Sequence, residues 1–269
     1  MPLIIIHSSK TMGLNSPEFS STTKLKASTP VFNDQASQLL NFLKSLSLER
    51  IQQIMKVSKA VAAKVIAELK TDGSYQQSPA VFSFLGDIYS GLQAQTFSLE
   101  DLAFAQKNLI ILSGLYGFLK PLDLIKHYRL EPAYKLTGFS EPNLYEFWGS
   151  KIADYLPQND FILNLSSNEY FKLIAAHLPK NLTIISPVFL SLDPKTKQPK
   201  FTAVHAKVAR GAYASWAVKT KLEDPTQIKN FNLLGYIYSK ELSSPGQPTF
   251  VCTEFGGKGL SLRLKSKVK

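Results

Sequence analysis

Two apolar runs in the chain end on similar polar clusters. "LIIIH" runs into Ser8, Ser9, Lys10 and Thr11, and "FILNL" runs into Ser166, Ser167, Asn168 and Glu169. Each run has the length and apolar content of a buried strand, and each cluster offers hydroxyls or amides together with one ionisable side chain. In an open α/β sheet, ligands sit outside the carboxyl ends of parallel strands, where loop amides and helix N-termini converge. Strands laid parallel would place both clusters on one edge, with Lys10 as the positive charge, Ser167 or Asn168 capping the next helix and Glu169 as a candidate acid or base. Taken singly, each Ser or Asn is better explained as a cap.

The stretch "LSGLYGFLKPLDLIKHYRLEP", residues 112 to 132, is as dense in polar groups. One reading is structural: Gly114 and Gly117 serve tight turns, Pro121 stiffens the loop, and Lys120, Asp123, Lys126, Arg129 and Glu131 form a solvated edge. The other starts from "YRLE", where an extended backbone puts Tyr128 and Leu130 on one face and Arg129 and Glu131 on the other. That ionic pair can close on itself or face a cleft. In "AKVARG", Lys207 and Arg210 add bases where a strand is expected to give way to a helix, a position suited to phosphate. No nucleophile, base and orienter set can be picked out by spacing. "GDIYSGL" lies in a helical pattern and lacks the Lys-Ser/Thr ending of a phosphate-binding loop.

Residues 47 to 70, "SLERIQQIMKVSKAVAAKVIAELK", allow two readings. Ile51, Ile54, Met55, Val61, Val65 and Leu69 keep helical spacing, which fits one amphipathic helix. A break at Ser58 would instead give two helices joined by a tight hairpin of Ser58, Lys59 and Ala60, with Lys56, Lys59 and Lys64 grouped around it. The second helix's free amides and these lysines would hold phosphates without reading bases. The glycines usual in a DNA-binding hairpin are missing.

The totals bound the rest. A chain of 269 residues with 44% hydrophobic content can bury its own core. Its formal charge of +11 attracts polyanions. The tail from Gly256 onward, "GGKGLSLRLKSKVK", holds five bases and no acid, so residues 1–255 keep a net charge of +6. The lone Cys252, in the alternating run "PTFVCTEF", excludes an intramolecular disulfide and reads as a packed small hydrophobe. The histidines His7, His127, His177 and His205 show no metal-ligand spacing, and neither a metal nor a cofactor is expected. No apolar run approaches the roughly 20 residues of a membrane span, so a cytoplasmic location is expected.

These side chains need elements to hold them. The pattern predicts strands at "PLIIIH", "LIILSG" and "FILNLSS", paired strands in "LTIISPVFLSL" and "KFTAVHA" around the turn "DPKTKQP", and a late hairpin of "YIYSKEL" and "PTFVCTEF". Helices are predicted over 33–70, in "PAVFSFLGDIYSGL" with Val81, Leu85, Ile88 and Leu92 on one face, and in "SLEDLAFAQKN" behind a Ser98/Asp101 cap. Two more are predicted in "EPNLYEFWGSKIADYL", with Pro142 in its first turn and Tyr155 inward, and in "NEYFKLIAAHL". Residues 11 to 33 read mostly as loop. The expected fold is mixed α/β: one large domain over 1–255, a mixed sheet flanked by helices, a possible helix-hairpin-helix element, and a flexible basic tail over 256–269.

"GDIYSGLQAQTF", "LSGLYGFLKPLDLIKHYRLEP", "LYEFWG", "NLSSNEYF", "PVFL" and "KVARG", in this order and spacing, resemble the YaaA family of bacterial peroxide-stress proteins. The resemblance covers nearly all the chain, from "LIIIHSSKT" to "PTFVCTEF". It implies a cytoplasmic protein of the oxidative-stress response with a positively charged cleft and a helix-hairpin-helix used on DNA. It also implies a link with limiting free iron and protecting DNA, and it brings no established reaction. Residue by residue, Lys10 and Thr11 fit the family's N-terminal Lys-Thr, and Arg129 and Glu131 its Tyr-Arg-Leu-Glu. Asn164, Glu169 and Tyr170 fit its Asn-Leu-x-Ser-x-Glu-Tyr, and Lys207 and Arg210 its Lys-x-x-Arg-Gly. Segment 54–66 would be the hairpin. "HSSKT" lacks a proline that the family commonly carries, which predicts a less constrained loop before Lys10, and Pro132 replaces a common Met.

Two functions are expected to compete. In the first, the protein binds double-stranded or structured DNA through its backbone, with Lys10, Thr11, Lys56, Ser58, Lys59, Lys64, Arg129, Lys207 and Arg210 as phosphate-binding residues. In the second, it is an enzyme acting on a nucleotide or phosphorylated small molecule, with Glu169 or Glu131 moving a proton. Direct iron binding is a weaker third reading, opposed by the histidine spacing and the single cysteine.

Overall fold

The computed structural model describes residues 1–13, 26–70, 77–156 and 160–261. Most of the basic tail lies outside these residues. Five strands build the first sheet: β1 (Pro2–His7), β2 (Leu109–Ser113), β3 (Gly117–Leu119), β4 (Phe161–Asn164) and β5 (Thr183–Ile185). Their order is β3-β2-β1-β4-β5, parallel except for the edge strand β3. The run "LIII" has no polar alternation because β1 is central, with neighbours on both edges and layers on both faces. Ile4, Ile5 and Ile6 are fully buried, each stabilising the fold by about 1.5–3 kcal/mol over an exposed side chain.

A second sheet contains β6 (Val188–Leu192), β7 (Pro199–Lys200), β8 (Tyr236–Ser244) and β9 (Gln247–Cys252), in the order β7-β6-β9-β8. The late hairpin is β8 and β9, antiparallel as expected. "KFTAVHA" is not the partner strand of "PVFLSL". Only Pro199–Lys200 pairs there, and the helix Ala203–Lys219 starts three residues later. Lys207 and Arg210 therefore sit inside a helix, not at a strand-to-helix junction. Alanines and Gly211 make this helix thin enough to be buried on most of its circumference.

Residues 33–70 form three helices, Asn33–Ser45, Leu48–Met55 and Lys59–Lys70. The single-helix reading of 47–70 is corrected: Lys56 adopts a left-handed backbone, φ 51°, and ends the middle helix. The turn is Lys56–Ser58, earlier in the chain than Ser58–Ala60. Ser58 caps the helix Lys59–Lys70, its Oγ accepting from Val61 N–H at 3.4 Å.

"PAVFSFLGDIYSGL" is also not one helix. Ala80–Ser83 is helical, Phe84–Leu85 is extended, and Asp87–Leu92 is helical again. The break lies at Gly86, whose φ of +127° suits glycine alone and whose missing Cβ leaves room for Ser9 Oγ. Phe84–Leu85 pairs antiparallel with Thr11–Met12, and Gly13 N–H donates to Ser83 O at 3.0 Å. These bonds pin the segment after Lys10.

Glycines also explain the helix contact on which the site depends. A Cβ on Gly211 would lie 1.8 Å from Ile88 O, and one on Gly91 would lie 2.0 Å from Val208 O. The helices Asp87–Leu92 and Ala203–Lys219 thus pack backbone to backbone. Further along, "EPNLYEFWGSKIADYL" forms two short helices, Leu144–Trp148 and Lys151–Tyr155, broken at Gly149. Pro142 precedes the cap residue Asn143 rather than opening the helix, and Tyr155 is 63% exposed rather than inward. One buried apolar cluster runs from Leu3 to Phe255.

Candidate functional site

The chain leaves β1 for β2 on one side and later returns to β4 on the other, so a topological switch point lies at the carboxyl ends of β1 and β4. The two polar clusters noted in the sequence meet there. Ser8 is buried, and its Oγ donates to Tyr170 OH at 3.0 Å. Tyr170, on helix Asn168–Ala175, hydrogen-bonds in turn to Glu131. Tyr128 OH lies 2.7 Å from Ser113 Oγ at the end of β2 and also reaches Ser8. A buried chain of hydroxyls therefore joins all three strand ends to one carboxyl. Burial pushes the Tyr128 and Tyr170 phenols well above their ordinary range, so they remain neutral donors.

Glu131 is 7% exposed. Burial raises its carboxyl above the usual range, Lys10 and the Tyr170 hydrogen bond work against that rise, Glu169 adds to it, and Arg129 opposes it. Lys10 Nζ lies 3.9 Å from Glu131 Oε2, with more than half of the lysine side chain in solvent. A pair this long and wet contributes less than about 1 kcal/mol. Arg129 Nε is buried and makes no hydrogen bond among the described residues. Tyr145 OH donates to the main-chain oxygen of Glu169 at 3.1 Å, fixing the start of the helix that carries it.

A second set of groups, gathered at His7, is basic. His7 stacks on its ring at a centroid distance of 4.7 Å. His7 Nδ1 accepts from the Ser167 main-chain N–H at 3.2 Å, and Tyr89 OH donates to His7 O at 3.0 Å. Burial, then Arg210, then Lys207 lower the imidazole from 6.5 to about 3, so it is neutral at physiological pH. Neither Lys207 nor Arg210 has an ion pair or hydrogen bond among the described residues.

The predicted residues thus divide. Lys10, Arg129, Glu169 and Tyr170 are gathered at Glu131, and Lys207 and Arg210 at His7. Thr11 is exposed in its short pairing with Leu85. Asn164 is committed to the scaffold: its Oδ1 accepts from Ser166 N–H and Oγ, and its Nδ2 donates to Ser186 Oγ. Ser167 sits at the cap position without a side-chain cap bond, its N–H going to His7. Asp123 is likewise structural, accepting from Ser28 Oγ at 2.6 Å and Lys120 N–H at 2.8 Å. Lys56, Lys59 and Lys64 lie exposed on the hairpin, with Lys64 3.8 Å from Glu68. Sequence reasoning named Ser8 only as one member of a polar cluster and missed His7, Ser113 and Tyr128 as site residues. For His7, Ser8 and Ser113 the signal in the chain was their position as the last residue, or the first beyond it, of an apolar strand. Among the described residues no three His, Cys, Asp or Glu side chains are grouped to hold a metal ion.

Residues 2–242 match the family model described as "Peroxide stress protein YaaA". The chain belongs to this family. It is 44% identical to a UPF0246 protein of Salinispora tropica over 264 residues, covering 97% of this chain and 98% of that one. A UPF0246 protein of Shewanella baltica is 39% identical, covering 94% of this chain and all of its own. One from Clostridium perfringens is 36% identical over 250 residues, covering 90% and 96%. Membership accounts for the order of motifs from "GDIYSGL" to "KVARG" and identifies the protein as one of peroxide stress. No described helix is long and apolar enough to cross a membrane.

Proposed function

We propose that this protein binds duplex or structured DNA in the bacterial cytoplasm during peroxide stress, gripping the backbone with little sequence preference. The observation that carries this is the hairpin Leu48–Lys70. Three exposed lysines, Lys56, Lys59 and Lys64, surround a capped turn where a helix begins with its N–H groups outward. Phosphates fit such a place because the helix terminus carries partial positive charge and the lysines add full charges. Covering DNA and limiting free iron oppose the same damage, since iron(II) reduces peroxide to an oxidant that cleaves DNA.

Gel-shift titration across salt, comparing wild type with the Lys56→Glu, Lys59→Glu, Lys64→Glu variant, tests this reading. Log affinity should fall linearly with log salt, and the slope should shrink by about 0.9 for each phosphate that the variant no longer neutralises. Failure of duplex, bubble and junction DNA to bind at low salt would end it.

A second reading is favoured by one observation, the buried Glu131 with its raised carboxyl beside Glu169, an arrangement suited to moving a proton. It makes the protein an enzyme acting on a nucleotide or phosphorylated small molecule. A metabolite screen with Glu169→Gln and Glu131→Gln as controls tests it, and turnover that survives both changes removes these carboxyls from the mechanism.

A further inference from the structure

We propose that the basic set gathered at His7 is a site for one phosphate group, held by His7, Lys207 and Arg210 and separate from the hairpin that grips duplex backbone. This names the ligand group of the second reading and is independent of the DNA reading. Three features support it.

The first is the direction of His7. Its Nδ1 is already an acceptor, 3.2 Å from Ser167 N–H, so the neutral ring must carry its proton on Nε2. The ring is held by stacking on Tyr170 on one side and by the strand backbone behind it, where Tyr89 bonds its carbonyl. Its one free donor is therefore fixed in direction.

The second is the pair of cations beside it. Lys207 and Arg210 are three residues apart on helix Ala203–Lys219, hence on the same face. Both charges act on His7, and no carboxylate does. Elsewhere Lys221 pairs with Asp101, Lys200 with Asp193 and Lys258 with Glu254. Arg210 is partly buried without any such partner among the described residues. A guanidinium withdrawn from water is costly unless an anion meets it. Two full positive charges balance the charge of a phosphate dianion, and with the imidazole N–H they make three donor groups for its three terminal oxygens.

The third is rigidity. Gly211 follows Arg210 directly, and its contact with Ile88 O allows the helix neither to rotate nor to slide without a clash. The His7 ring and the helix backbone that carries both cations are in place before any ligand arrives, which reduces the entropy lost on binding. The hairpin lysines are exposed and have no such fixing.

Isothermal titration of the full chain at low salt tests this, using deoxyadenosine 5′-monophosphate, inorganic phosphate, deoxyadenosine and malonate. Both phosphates should bind, and deoxyadenosine and malonate should not. Lys207→Met and Arg210→Met should each weaken phosphate binding roughly ten- to a hundred-fold, as expected for losing a charge-assisted bond. His7→Gln, which keeps an acceptor for Ser167, should weaken it several-fold. Thermal melts show whether each variant is folded, and Lys207→Met, on a partly exposed side chain, keeps the test open if Arg210→Met is not.

Duplex DNA with and without a 5′-phosphate is titrated in parallel. Tighter binding of the free monophosphate marks a small-molecule ligand, and a preference for the phosphorylated end marks a DNA terminus; either supports the site. Duplex binding with no binding of either phosphate overturns the proposal and leaves the DNA reading standing. Phosphate binding without duplex binding does the reverse. Equal binding of malonate, or unchanged affinity in the folded variants, also overturns it.

Discussion

At the ends of β1, β2 and β4, polar side chains are tied to each other: Ser113, Tyr128, Ser8, Tyr170 and Glu131 form one buried chain of bonds. On the hairpin Leu48–Lys70, Lys56, Lys59 and Lys64 face water, and among the described residues Lys64 pairs only with its helical neighbour Glu68. The first arrangement suits a small ligand that needs donors at fixed positions. The second suits a long polyanion, for which the number of charges matters more than their geometry. The two regions differ in residue type, hydroxyls and one carboxyl against lysines, and in desolvation, the first buried and the second in water.

The comparison breaks most easily at the glycine contact beneath the crevice. Gly211→Ala places a methyl against the Ile88 carbonyl, with backbone on both sides and no flexible side chain to yield. A destabilisation of roughly 3 kcal/mol is expected in urea unfolding, and an unchanged midpoint would show that the helices can separate freely. Tyr170→Phe removes the hydroxyl that accepts from Ser8 and donates to Glu131. A destabilisation of about 2 kcal/mol is expected because buried polar groups are left unmatched, and duplex binding measured in gel shifts should not change with it.

The pH dependence sharpens the contrast further. His7 is neutral in the folded protein down to about 3, whereas its ordinary value is 6.5. Between these values the unfolded chain binds a proton that the native chain refuses. Stability from this group is complete above about 6.5 and is lost as pH falls towards 3, with a slope of at most about 1.4 kcal/mol per pH unit. The charges of Arg210 and Lys207 act on the ring in the same direction as burial, so they do not change the sign. His7→Gln should flatten the curve relative to wild type in denaturant titrations at several pH values. On the hairpin the effects are smaller. Ser58→Ala should cost about 1 kcal/mol of cap stability, visible as faster amide exchange at the start of Lys59–Lys70, with the amides of β1 unchanged.

Much of this is legible in the residues. The strands at "LIIIH", "LIILS" and "FILN" are readable because a central parallel strand must be apolar on both faces. The capping box at Ser98 and Asp101 forms as its spacing predicts, with both bonds present. "PAVFSFLGDIYSGL" reads as one long helix because Val81, Leu85, Ile88 and Leu92 keep helical spacing although Gly86 turns the chain between them. "KFTAVHA" reads as a strand because alternation over a few residues also fits the first turn of a buried helix. Of the site, Lys10, Arg129, Glu131, Glu169, Lys207 and Arg210 stand out by local pattern, whereas His7 and Ser8 look like no more than a strand end and a cap.

Local sequence determines what can be settled within a few residues: which runs are buried strands and where Ser98 caps. Tertiary structure alone decides which charges are neutralised. Lys10 pairs with Glu131, while among the described residues Lys207 and Arg210 have no carboxylate partner, because electrostatic energy depends on distance and burial, and neither follows from separation along the chain. The same holds for His7, whose neutral form arises from burial and then from the charges of Arg210 and Lys207, and whose free donor is set by Ser167, 160 residues away.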